Sequence, residues 1–154
     1  MLPHKHFVYG IVFSLILVII MPQIGFIGVS LIVLSGVLID FDHYIYYLLK
    51  KKDFSLINAF NFFKTNRRKF LSLPLGKRAQ YHGGLCVFHG FESLIIALIL
   101  TFLISEYFGF VFIGMAFHLF MDYIEQWPCL GRIDRISSAY DFLKFRKLKN
   151  INEI

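Results

Sequence analysis

The sequence predicts an all-α membrane protein: a four-helix transmembrane bundle, up-and-down, with a basic interfacial loop between the second and third spans and a basic helical tail. Three observations predict it. Of the 154 residues, 57% are hydrophobic and only 17% charged, whereas an ordinary soluble domain has about a quarter of its residues charged. No charged side chain occurs from Phe7 to Ile39, although ionisable groups are otherwise spread through a soluble chain. All sixteen Lys and Arg lie before, between or after the apolar runs, which is how a polytopic membrane protein distributes them.

The length suits one domain, 1–154. The net charge of +6 points to nucleic acid in a soluble chain, but here the basic residues read as topology determinants, and no nucleic-acid partner is expected. Cys86 and Cys129 have no Cys-x-x-Cys spacing and read as two small buried hydrophobes. No serine or cysteine stands beside a base in the sequence, which argues against a covalent acyl mechanism.

The first span runs from about residue 7 to 21. Lys5 ahead of it resembles a signal-peptide start, but the bulky Ile19-Ile20-Met21-Pro22-Gln23 offers no small-residue cleavage site, so a retained span is expected. Pro22 to Gly25 breaks the run, and a second span follows over 24–39. Each has about 15 residues, roughly 23 Å of helix at 1.5 Å per residue, which is short against a hydrocarbon core of about 30 Å.

Residues 50–80 change character. Lys50, Lys51, Lys52, Lys64, Arg67, Arg68, Lys69, Lys77 and Arg78 face one acid, Asp53. Asp53 is placed to cap a helix on which Phe54, Ile57, Phe60 and Phe63 recur at three-residue steps, a basic and aromatic helix suited to anionic lipid. A third span is expected over 85–105 and a fourth over 110–125, with Trp127 at the interface and Pro128 stopping the helix. The tail, 128–154, carries Arg132, Arg135, Lys144, Arg146, Lys147 and Lys149 and one short helix around 137–148. Four spans put the N-terminus, the middle loop and the tail on one side, which the positive-inside rule makes cytoplasmic.

The ionisable residues near the spans gather at that same end. His4 and His6 open the first span, Asp40, Asp42 and His43 close the second, His89 and Glu92 open the third, and His118 and Asp122 close the fourth. Asp40 with His43, His89 with Glu92, and His118 with Asp122 are three or four apart, so each pair shares a helical face. Asp42 joins them only if the helix ends or distorts there. Imidazoles and carboxylates on inward faces suit a divalent metal: zinc first, manganese or iron as alternatives. Four carboxylates favour two ions, and one ion remains open. The metal ligands expected are His6, Asp40, Asp42, His43, His89, Glu92, His118 and Asp122.

These motifs in this order resemble the membrane-bound metal-dependent hydrolases, inner-membrane proteins regarded as distant relatives of zinc-dependent phospholipase C. The matching elements are a histidine before the first span (His6), Asp-x-Asp-His after the second (Asp40, Asp42, His43) and His-x-x-x-Asp in the fourth (His118, Asp122). The third motif departs: the family has His-Arg-Gly, one residue, then Thr-His-Ser, whereas His82-Gly83-Gly84-Leu85 is followed by Val87, with His89 two positions later and Glu92 added.

The resemblance implies hydrolysis of a phosphoester, lipid-linked or soluble, at the cytoplasmic membrane surface. Asp42 or Glu92 would take the proton, and Arg67, Arg68, Lys77, Arg78 and His82 would attract the anionic substrate. Membrane lipid and the ester are the partners expected. A small cation transporter and a non-catalytic scaffold with a structural metal are the alternatives. The almost wholly apolar far halves of the spans offer no continuing polar path for transport.

Overall fold

A computed structural model describes residues 3–130, 133–134 and 136–153. Arg132 and Arg135 of the basic tail lie outside them. The described chain is mostly helical, as expected: α1 (Pro3–Ile20), a 3-10 turn (Pro22–Ile24), α2 (Gly25–Leu38), α3 (Phe41–Lys51), α4 (Leu56–Ser72), α5 (Leu75–Arg78), β1 (Tyr81–His82), α6 (Phe91–Leu103), α7 (Tyr107–Leu130), α8 (Ser138–Phe145), β2 (Lys149–Asn150) and a final 3-10 turn (Ile151–Glu153). These elements fall into two compact units, residues 1–40 with 91–123, and residues 41–90 with 124–154.

Two helical stretches, Pro22–Lys51 and Tyr107–Leu130, are long and apolar enough to cross a membrane, judged by length and composition. The sequence suggests four spans. The apolar helices at the first and third positions, His4–Ile20 and Phe91–Leu103, are shorter. The third is shortened because residues 85–90 are not helical and α6 starts only at Phe91. At the other end of the chain, α7 runs through Pro128 to Leu130. Pro128 does not stop it but lies inside its last turn.

In the first unit α1, α2, α6 and the first part of α7 enclose Ile24, Ile32, Ile39, Ala97 and Leu119. Phe13 of α1 stacks on Phe117 of α7 with ring centroids 4.0 Å apart. Helices α2 and α7 approach so closely that a Cβ on Gly114 would lie 2.2 Å from the Ile32 carbonyl oxygen, and one on Gly36 would lie 3.3 Å from that of Gly114. Small residues at such crossings let backbones touch. Facing outward, Ile19, Phe26, Phe102 and Leu103 are 77% or more exposed.

In the second unit α4 begins on Ser55, whose hydroxyl accepts the Asn58 N–H. Asp53 is therefore not the cap. It organises the preceding turn instead, accepting bonds from the Tyr47 hydroxyl, the Ser55 N–H and the Asn58 side-chain amide. Those three donors hold its carboxyl below the usual carboxylate range, the Tyr47 hydrogen bond contributing most. Of the expected apolar face of α4, Phe63 packs against His43 and Tyr46, while Ile57 and Phe60 stay exposed.

The tail belongs to this unit. Its helix, α8, falls within the range expected from sequence. β2 pairs in parallel with β1 through Tyr81–Lys149 and His82–Asn150, Phe145 stacks on His82, and Ile151 is fully buried. Gly84 has φ +131°, and a Cβ there would lie 2.7 Å from the Tyr46 ring. Only glycine suits that position.

Candidate metal centre

The helical ladder breaks after α2. The Asp40 N–H bonds to the Val37 carbonyl, three residues back, at 3.2 Å. It thus leaves the Gly36 carbonyl, its partner in a regular α-helix, open to another donor. His118 takes that carbonyl: its Nδ1 lies 2.6 Å from Gly36 O. A carbonyl can only accept, so Nδ1 carries the proton and the lone pair of the neutral ring is on Nε2.

That Nε2 faces carboxylates. Asp40 Oδ1 is 3.6 Å away and Asp122 Oδ2 is 3.7 Å away, both too far for a hydrogen bond. His6 stacks on the His118 ring at 3.8 Å between centroids. Its Nε2 points at the other oxygen of the same carboxylate, Asp122 Oδ1, at 3.2 Å but without hydrogen-bond geometry. One ligand atom each from His6, His118 and Asp122 lies within 4.8 Å of the others. All three residues are at most 4% exposed. A buried group of imidazole nitrogens and carboxylate oxygens at these separations could hold a divalent cation, and a histidine fixed by a backbone carbonyl through its second nitrogen is the usual arrangement of a metal ligand.

A second group is built wholly within the other unit, by Asp42, His43, Cys86 and His89, again with ligand atoms within 4.8 Å of one another. Asp42 Oδ2 accepts the Phe88 N–H and bonds His89 Nδ1, each at 3.0 Å. Its Oδ1 lies 2.9 Å from His43 Nδ1, off the angle of a hydrogen bond. Cys86 Sγ stands 3.6 Å from His43 Nε2. The bonds that Asp42 accepts from Phe88 and His89 draw residues 85–90 into a loop. This is why the third apolar run starts its helix late.

Several sequence expectations are corrected by these contacts. His118 and Asp122 do share a face, and the chain does break beside Asp42, at Ile39–Asp40. Asp40 and His43 do not share a helix, because that break separates them: Asp40 faces His118, whereas His43 faces Asp42, Cys86 and His89. Nor do His89 and Glu92 share one, since His89 precedes α6 and Glu92 lies in its first turn. Glu92 belongs to no metal-type group among the described residues. Of the two cysteines expected to be buried, Cys129 is only half-buried and Cys86 is buried, but Cys86 does stand beside a base. Forty-three positions separate it from His43, and no spacing rule reaches that far.

The expected substrate-binding residues fall into two kinds. Arg78 spends its guanidinium on the carbonyls of Leu71, Leu73 and Cys129, and Arg67 pairs with Glu125 at 2.8 Å. Arg68 and Lys77 are exposed, and His82 is partly buried against Phe145. His4 is exposed. No protein family, curated protein or solved structure matches the chain.

Proposed function

We propose that the protein is a membrane-seated, metal-dependent hydrolase acting on a phosphoester, with a divalent ion held by His6, His118 and Asp122 and with Asp40 beside them. The observation that carries this reading is His118, whose Nδ1 is committed to Gly36 while its Nε2 is turned toward two carboxylates it cannot hydrogen-bond. Two neutral imidazoles and two carboxylates leave a charge of about −2, which a divalent cation neutralises. Zinc fits this nitrogen and oxygen donor set, with manganese and iron behind it. The thiol-bearing group around Asp42 takes a second ion.

Bound there, such an ion supplies Lewis acidity toward a phosphoryl oxygen and acidifies water. The chain's own residues do the rest. Gly36 holds His118 in its tautomer, and the His6 ring stacks on its face. Two apolar helical stretches and the exposed apolar side chains around Phe26 and Phe102 support seating in a bilayer. Exposed Arg68 and Lys77 favour its anionic, cytoplasmic face.

The depth of His6, His118 and Asp122 favours a second reading, in which the ion only braces the helices. One experiment separates the two: purified, metal-loaded protein assayed on a panel of phosphomonoesters and phosphodiesters with and without chelator. Hydrolysis abolished by chelator and restored by zinc is expected. Bound metal with no chelator-sensitive turnover on any ester selects the structural reading.

A further inference from the structure

In the second unit the tail reaches the loop that carries Cys86 and His89. β2 pairs with β1 just ahead of that loop, and the Lys149 N–H donates to the Gln80 carbonyl at 3.0 Å. On the tail side α8 is capped by Ser137, whose hydroxyl accepts the Tyr140 N–H at 3.1 Å. The next residue, Ser138, turns its hydroxyl to the loop instead. It donates to the Val87 carbonyl at 2.7 Å, with the Cys86 carbonyl 3.4 Å away.

The Val87 carbonyl and the Phe88 N–H belong to one planar peptide unit. Its oxygen accepts from Ser138, and its N–H donates to Asp42 Oδ2 at 3.0 Å. That same carboxylate oxygen bonds His89 Nδ1 at 3.0 Å. The two polar ends of a rigid plane cannot turn independently, so fixing the carbonyl aims the N–H at Asp42. Hydrogen bonds in such a chain also polarise one another, which makes the N–H a better donor. The unit lies between Cys86 and His89 in sequence, so its orientation sets the directions in which the thiol and the imidazole leave the loop.

We propose that Ser138 is a positioning residue for a divalent ion in the thiol-bearing group. Acting through the 87–88 peptide, it steadies Asp42 and aims Cys86 and His89. This role rests on the reading that Asp42, His43, Cys86 and His89 bind an ion. Groups one bond removed from metal ligands typically govern metal affinity by about 10–100-fold.

The test is titration of the full chain in detergent with cobalt(II), followed by the sulfur-to-cobalt charge-transfer absorption, for wild type, Ser138→Ala, Ser138→Thr and Lys144→Gln. Ser138→Ala is expected to weaken binding at the thiol-bearing group about tenfold or more, and to shift the band at saturating cobalt because the ligands are aimed differently. Ser138→Thr keeps the hydroxyl and should keep both properties. Lys144→Gln removes the ion pair with Asp134 from the same helix and should change neither, which separates positioning from general loosening of the tail. A band unchanged in affinity and position in Ser138→Ala, or an equal change in Lys144→Gln, overturns the positioning role alone. The Ser137 cap remains in Ser138→Ala, so loss of the wild-type circular dichroism in that variant would make Ser138 a folding contact and overturn the role as well. No band in wild type overturns the second ion itself, and the role with it.

Discussion

His118 Nδ1 lies 2.6 Å from the carbonyl oxygen of Gly36, across a helix crossing where Gly36 and Gly114 allow backbone to meet backbone. The buried imidazole and the crossing are one device. The carbonyl is open because the helix ends there, and the imidazole reaches it because no side chain intervenes.

Gly114→Ala is therefore expected to damage structure and metal binding together. Its Cβ would meet the Ile32 carbonyl and the Ser35 hydroxyl oxygen, each at 2.2 Å, and backbone cannot step aside. Overpacking of this kind costs about 1–3 kcal/mol. Gly10→Ala, which meets nothing within 4 Å, is expected to be neutral or slightly stabilising. Thermal unfolding with elemental analysis of both variants checks this, and a Gly114→Ala protein with unchanged melting and metal content would refute the coupling.

Removing a ligand should empty the centre without unfolding the chain. His118→Ala and Asp122→Asn are each expected to lower bound zinc at least tenfold, whereas His4→Ala, at an exposed position, should retain it. Equilibrium dialysis against buffered zinc gives the comparison, and equal retention by all three would dispose of the centre.

Cys86 gives the second group a distinct signature. A thiolate ligand favours softer ions and imparts sulfur-to-metal charge-transfer absorption to a cobalt-substituted site. Cobalt-loaded wild type should show that band and Cys86→Ser should lose it while keeping the weaker ligand-field bands. A band that survives in Cys86→Ser would show that sulfur from elsewhere supplies it.

The turn between α3 and α4 should open in acid. The Asp53 carboxyl is held below its ordinary value of about 3.9, chiefly by the Tyr47 hydroxyl. A depressed folded value means that the stabilisation is complete above the unfolded value and disappears as pH falls through the folded one. Hydrogen exchange at Ser55 and Asn58, referenced to the intrinsic rate at each pH, should accordingly lose protection below about pH 4. Asp53→Asn should remove that pH dependence; if it persists unchanged in the variant, another group is responsible.

The basic residues of the middle segment should separate by role. Arg78→Gln removes donors from three carbonyls and is expected to cost about 1–3 kcal/mol of stability. Arg68→Gln and Lys77→Gln, both exposed, should leave the melting temperature within a degree or two and weaken association with anionic vesicles. Chemical denaturation and vesicle sedimentation measure the two effects separately.

The sequence by itself determined the helical class, the apolar runs, the chemical kind of the site and the His118–Asp122 pair, because these depend on composition and on spacings within one turn of a helix. It also made a break beside Asp42 the condition for that residue to join a site with Asp40; the chain does break there, but the two carboxylates go to different groups. Only tertiary structure decided which ligands meet. The bond between Asp42 and residues 88–89 unwinds the start of the third run and detaches His89 from Glu92. Folding also brings Cys86 to His43 and the Gly36 carbonyl to His118. A backbone carbonyl has no letter in a sequence, and a contact across forty or eighty residues leaves no periodicity, so neither can be read before the chain is folded.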